Sequence, residues 1–232
     1  HHSEERESRL ESHLPKRQFG MSTLFTGLVC NNKEYIHTPL IEIVPVKDDS
    51  QLRKALFQWY DDKSENVGYL LLTSRYSVKY WSLNLDGRDP QHIMPNKKVV
   101  SIGATTTLAL VEAGFQDIEQ VEEDNSYGVI DWFSNRERGQ VLIPRSNLAL
   151  NLIPDGLREL GFQVTTVTAY ENIMPSNPKK VDLSEIDRII FTSPSTIDNF
   201  VKLYGYLPTD KELKTRGVVT EKHLMEILNK NI

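Results

Sequence analysis

The chain has 232 residues, of which 39% are hydrophobic and 25% charged, with a formal net charge of −5. That size accommodates two small domains of ordinary globular composition, and no apolar run approaches the about 20 residues of a membrane helix. The acidic balance argues against general nucleic-acid binding, and the single cysteine, Cys30, excludes an internal disulfide and fits a reducing cytoplasm.

Residues 1–20 open with His1 and His2 and carry mixed charge without apolar periodicity. They read as an expression leader with the native start at Met21; the competing reading is a solvated natural helix. Ser22 to Val29 reads as a short buried strand, and Pro39 to Val46 as an edge or linker strand, because it alternates and carries two prolines. Leu52 to Tyr60 has a helical stripe. Strands at Tyr69–Leu72, Lys98–Ile102, Ile118–Val121 and Gln140–Ile143 then alternate with helices from Ser77, over Thr106–Ala113, over Ser126–Asn135 and over Leu148–Leu160. Gly114 and Gly161 close two of those helices. A longer, Thr-rich strand runs from Val164 to Ile173, and a strand at Arg188–Phe191 precedes a helix over Thr196–Leu203. Such alternation predicts parallel sheets covered by helices. The strands at 39–46 and 164–173 fit inside neither repeat and are predicted to form an antiparallel pair bridging two lobes.

Two stretches look short. A parallel crossover takes about a dozen residues, yet only Asn31 to Glu34 separate Cys30 from Tyr35, and Lys211–Arg216 (KELKTR) is a poor strand. Segments missing from the chain near 28–35 and 205–218 would account for both.

The pattern with most chemical content is a doubled one. YLLLTSRYSVKYW at 69–81 and RIIFTSPSTIDNF at 188–200 each carry an apolar run into Thr-Ser and then a helix. Each is followed by Gly-x-x-Thr-x-x-x-Leu, with Gly103, Thr106 and Leu110 in the first copy and Gly217, Thr220 and Leu224 in the second. Thr73-Ser74 and Thr192-Ser193 stand where strands end, the place where open α/β sheets bind ligands. Free N–H groups and hydroxyls there suit an anion; plain N-capping explains the same residues. The two glycines would let backbone approach a ligand closely. At Pro144-Arg145-Ser146-Asn147 a third strand-to-helix turn is predicted, with Arg145 as a bidentate carboxylate holder or a solvated surface arginine, and Ser146 or Asn147 as a cap. Tyr170, on the bridging strand, is either a cleft-facing proton donor or an aromatic packed at the hinge. No metal site is read: His13, His37, His92 and His223 lack ligand spacing. Neither G-x-G-x-x-G, a Walker A loop nor G-x-S-x-G occurs.

The ordered series PLIEIVPV at 39–46, YLLLTSRYSV at 69–78, VVSIGATTTLALVEAGF at 99–115, VLIPRSNLALNLIPDGLRELGFQVTTVTAYEN at 141–172 and IIFTSPSTIDNF at 189–200 resembles the uroporphyrinogen-III synthase family. The resemblance covers most of Met21 to Leu224. It implies two flavodoxin-like α/β lobes with parallel sheets, joined by a two-stranded antiparallel linker. The lobes would be 21–38 with 175–232, and 47–164; the linker would be 39–46 and 165–174. It also implies a reaction without a cofactor: hydroxymethylbilane loses water, its terminal pyrrole ring is inverted, and uroporphyrinogen III closes. The sequence carries no oligomer signal, so a monomer is expected by default, in the cytoplasm that the lone cysteine fits. The family's substrate-facing tyrosine matches Tyr170. Its Gly-x-x-Thr threonines match Thr106 and Thr220, and its Thr-Ser turns match Thr73-Ser74 and Thr192-Ser193. The family follows its second Gly-x-x-Thr helix with a further strand and helix, whereas only Glu221 to Ile232 follow Thr220 here. A second alignment sets Gly217–Leu228 on the family's last helix. A non-catalytic two-lobed tetrapyrrole or polycarboxylate binder would use the same donors without Tyr170.

Overall fold

A computed structural model describes residues 20–230; the expected leader at 1–20 lies outside this range except for Gly20. The described residues divide into two compact units, 43–172 and 20–42 with 173–230.

In the 43–172 unit, strands β4 (Gly68–Leu72), β5 (Lys97–Ile102), β6 (Ile118–Val121), β7 (Gln140–Ser146) and β8 (Gln163–Ile173) pair in parallel, in the order β8-β7-β4-β5-β6. β3 (Glu42–Pro45) lies beside β8 at the sheet edge, so the two strands that fitted neither repeat are neighbours. Helices α1 (Ser50–Asp61), α2 (Arg75–Leu83), α3 (Gly103–Glu112), α4 (Ser126–Ser134) and α5 (Leu152–Glu159) alternate with these strands. Every residue of β4 is buried, as a central strand covered on both faces requires. Successive residues then point into two cores. Leu70 and Leu72 join Leu56, Trp81 and Val99 on one side, whereas Tyr69 and Leu71 join Val100, Phe133 and Phe162 on the other.

The first of these cores holds a buried phenol with an alkaline consequence. Tyr60 donates to Pro90 O at 3.0 Å and accepts from Trp81 Nε1 at 3.3 Å. Burial pushes its pKa up to about 12, whereas in the unfolded chain the phenol titrates near 10. Above pH 10 the unfolded state therefore binds fewer protons than the native state, and stability falls. The contribution is complete below pH 10 and is lost as pH rises to about 12, on the order of 2–3 kcal/mol across the window. Tyr60→Phe is expected to flatten the decline of the urea midpoint between pH 10 and 12; an equal decline in the variant would assign the alkaline loss to other groups.

In the second unit, β1 (Thr23–Phe25), β2 (Ile36–His37), β9 (Arg188–Phe191) and β10 (Glu212–Thr215) form a parallel sheet ordered β10-β9-β1-β2. Helices α6 (Pro194–Tyr204) and α7 (Val218–Lys230) follow β9 and β10. Leu24, Ile189, Phe191, Ile197, Phe200 and Leu224 form its core.

Several sequence expectations change here. The strand expected over Ser22–Val29 is shortened to Thr23–Phe25, and the chain from 26 to 35 links β1 to β2 without a helix, tightened by a hydrogen bond from Tyr35 N to Asn32 O at 3.2 Å. KELKTR, expected to be a poor strand, supplies β10. Its polar residues are tolerated because β10 ends the sheet and pairs on one side only, with β9. Nor do Arg145 and Ser146 lie in a strand-to-helix turn: β7 continues through both, and α5 begins at Leu152 rather than Leu148.

Candidate active site

Both Thr-Ser repeats fold the same way. Ser74 (φ −153°, ψ 159°) and Ser193 (φ −158°, ψ 160°) are extended N-cap residues of α2 and α6. Each forms a reciprocal cap with the hydroxyl three residues on. Ser77 N donates to Ser74 Oγ at 3.1 Å and Ser74 N donates to Ser77 Oγ at 3.2 Å; Ser193 and Thr196 repeat the exchange at 3.3 Å in both directions. The capping reading therefore holds for both serines. Thr192 lies against Gly27, where an added Cβ would sit 2.6 Å from the threonine methyl, so this approach admits only glycine.

The Gly-x-x-Thr repeats also match. Gly103 (φ +78°) joins β5 to α3 and Gly217 (φ +85°) joins β10 to α7; both occupy left-handed backbone that favours glycine. Three residues on, Thr106 and Thr220 are only 4% and 3% exposed. The first junction is braced by groups that no motif announced: the Thr107 hydroxyl lies 2.6 Å from Ser101 Oγ and 2.6 Å from Gln120 Oε1.

What sets Ser74 apart is a second partner. Its hydroxyl lies 3.0 Å from the hydroxyl of Tyr170. β4 and β8 are separated in the sheet only by β7, and the strand order turns back on itself at the β4–β7 boundary, the switch point where open sheets bind ligands. Tyr170 is brought there by a β-bulge. Arg145 pairs with Thr168 but Ser146 pairs with Tyr170, leaving Ala169 unmatched. β8 alternates over Val167, Thr168 and Ala169 (buried, exposed, buried) and then stops alternating: Ala169 and Tyr170, adjacent in sequence, are both buried in the same core. The bulge thus turns the tyrosine inward, where regular pleating would send it to the other face.

Tyr170 is 7% exposed. Its ring stacks on Tyr80 (centroids 5.7 Å apart, planes 22°) and tilts against Tyr76 at 6.0 Å. Tyr76 in turn accepts from Arg75 Nη2 at 2.9 Å. Burial raises the Tyr170 pKa above its ordinary value of 10, with Ser74 acting in the opposite sense. The phenol consequently stays protonated through neutral pH and can donate.

Asn147 fixes the strand end. Its N–H donates to Tyr170 O at 3.2 Å, its Oδ1 accepts from Asn172 N at 2.7 Å, and its Nδ2 donates to Asn172 O at 3.4 Å. It continues the β7–β8 ladder with a side chain and does not cap α5. The other two residues singled out beside it have local partners. Arg145 Nη1 donates to Leu150 O at 3.1 Å, burial followed by the nearby Arg158 lowers its pKa, and Ser146 Oγ accepts from Leu148 N at 3.2 Å.

The model of the uroporphyrinogen-III synthase family, HemD, matches residues 31–226. The chain belongs to the uroporphyrinogen-III synthase family. The uroporphyrinogen-III synthase of Chlorobaculum parvum is 28% identical over 178 residues, covering 72% of this chain and 68% of that protein. A protein of Methanothermobacter thermautotrophicus provisionally given the same name is 29% identical over 117 residues, so the chain spans about half (46%) of that relative's length. Among solved structures, a mutant uroporphyrinogen III synthase of Thermus thermophilus superposes with a TM-score of 0.62 at 18% identity, covering 89% of this chain and 88% of that one. The Helicobacter pylori enzyme gives 0.57 at 17% identity, covering 91% and 90%. At these identities the two structures support the fold, and family membership rests on the family model.

Among the described residues no helix is long and apolar enough to cross a membrane, and no three His, Cys, Asp or Glu side chains converge as metal ligands would.

Proposed function

We propose that this protein converts hydroxymethylbilane to uroporphyrinogen III, closing the linear tetrapyrrole with loss of water and inversion of its terminal ring. It would do so as a cytoplasmic monomer without a cofactor. Family membership supports the reaction class. The observation that carries the chemistry is the Tyr170 phenol held 3.0 Å from Ser74 Oγ at the sheet's switch point.

In this reading Tyr170 gives its proton to the departing hydroxyl, which leaves as water with the electrons of the broken C–O bond. The phenolate that forms is met by the Ser74 hydroxyl, which the α2 cap holds in position. A phenol with a raised pKa remains the acid at neutral pH, and such donation contributes about 10²–10⁴-fold. Stacking on Tyr80 and the tilted contact with Tyr76 fix the ring plane, so little rotational freedom is lost on reaction. Thr73, Ser74 and Gly103 in the 43–172 unit, and Thr192, Ser193 and Gly217 in the other, all at carboxyl ends of strands, are proposed substrate-binding positions, Ser74 and Ser193 through their hydroxyls because the caps take their N–H groups. Thr106 and Thr220, buried in the first turns of α3 and α7, follow these glycines by three residues.

The test is the isomer made. Hydroxymethylbilane closes without inversion when left alone, so purified protein should divert the product to the III isomer, resolved chromatographically after oxidation. A protein that binds the tetrapyrrole but leaves only the I isomer would be a carrier or sensor.

A further inference from the structure

The two Gly-x-x-Thr junctions differ in charge. Before Gly103 stands Ile102, 5% exposed and packed with Val100, Val121 and Val129. Before Gly217 stands Arg216, which is exposed. Its backbone N–H extends the β10 pairing by donating to Phe191 O at 3.0 Å. Its guanidinium reaches across the end of β9, with its carbon 4.7 Å from the centroid of the Phe25 ring, on the last residue of β1. In the order β10-β9-β1-β2 the strand order turns back on itself between β9 and β1, although the two strands are parallel. The cation therefore hangs over this sheet's switch point, at its carboxyl edge.

Nothing within the described residues uses the charge. Among them, Arg216 has no carboxylate within 4 Å and no side-chain hydrogen bond, and every ion pair there engages a different cation. Nor does the fold require it, since an isoleucine fills the same place in the other repeat. An aromatic face orients a guanidinium without occupying its donors, leaving the planar fork free for a carboxylate. The first junction is unsuited to that role: an added Cβ on Gly103 would lie 3.3 Å from Asp124 Oδ2, so a carboxylate already stands there.

We propose that Arg216 is a substrate anchor, binding one carboxylate of the polycarboxylate tetrapyrrole at the carboxyl edge of the β1–β9–β10 sheet. This assignment rests on the proposed reaction. It makes Arg216 a binding residue that contributes equally before and during the chemical step, because a substrate carboxylate takes no part in the bond that breaks.

Arg216→Met keeps the side chain's length over Phe25 and removes the charge. With hydroxymethylbilane as substrate, KM should rise about 10-fold, the loss expected for one charge-assisted hydrogen-bonded pair. Both kcat and the III/I isomer ratio should stay within twofold, and Arg216→Lys should recover part of the loss. An unchanged KM, or a fall in kcat or isomer ratio at constant KM, would overturn the anchor. Equal melting temperatures confirm that folding is not the variable. Should the wild type yield no III isomer, uroporphyrin III serves as a stable probe of the same charge pattern. A Kd about 10-fold weaker in Arg216→Met would then keep the anchor while the synthase reading falls, and an equal Kd would remove the anchor as well.

Discussion

Tyr170→Phe is expected to lower kcat for uroporphyrinogen III formation by about 10²–10⁴-fold while leaving the fold intact. The two effects separate because of what the phenol touches. Its only side-chain hydrogen bond among the described residues is with Ser74 Oγ, which retains its own cap partner in Ser77. The ring, retained in phenylalanine, supplies the stacking on Tyr80 and the tilted contact with Tyr76. Losing one hydroxyl from that environment should change stability by about 1 kcal/mol. The residual product should shift toward the I isomer, since substrate released without protein-assisted closure cyclises without inversion. Initial rates with isomer analysis, set beside a urea midpoint, check both halves. Full retention of rate and isomer ratio would take Tyr170 out of the mechanism.

Gly139→Ala should do the opposite, destabilising the protein by about 2–4 kcal/mol with activity per folded molecule unchanged. Gly139 lies immediately before β7, where three strands begin together. Gln140 N donates to Val67 O at 3.1 Å, and Gln163 N donates to Gly139 O at 2.9 Å. A Cβ at Gly139 would run into the Val67 carbonyl, a backbone atom that cannot step aside without disturbing the start of β4. This strain falls at the amino ends of the strands, far along the sheet from Ser74 and Tyr170 at the carboxyl ends. Urea titration gives the loss directly, and a change below about 0.5 kcal/mol would mean that the junction relaxes freely.

How far sequence reached depended on whether a feature was local. Capping is decided within four residues, and the doubled Thr-Ser pointed to both Ser74 and Ser193, each found as an N-cap. The glycines before α3 and α7 were legible for the same reason. Buried strands such as β4 were equally plain, because a run like Tyr69–Leu72 admits few alternatives. The edge strands of the four-stranded sheet were not: β2 is two exposed residues and β10 is largely polar, and both exist because a neighbour offers hydrogen bonds.

Within the candidate site, Tyr170 was singled out on its strand with two readings open, the family resemblance favoured the proton donor, and its orientation was legible nowhere in the sequence. The bulge at Ala169 depends on where β7 and β8 fall out of register, and the run Thr-Val-Thr-Ala-Tyr carries no mark of it. The partners Tyr76 and Tyr80 had a signal that could have been used, since positions four apart share a helix face. Asn147 was taken for a cap because it precedes a helix; its clamp on residues 170–172 is a contact between residues 25 apart that spacing does not reveal. Arg216 entered only as the last residue of a poor strand, and the ring beneath it belongs to a strand nearly two hundred residues earlier.

The central claim is that the Tyr170 phenol is the proton donor, and the pH profile of kcat for III-isomer formation tests it most directly. The acid form is required and burial raises its pKa, so the rate should show no loss attributable to this group up to pH 10 and should fall above it. That alkaline limb should be missing from the residual activity of Tyr170→Phe. An identical limb in the variant, or a wild-type rate lost well below pH 10 through this residue, would contradict the account.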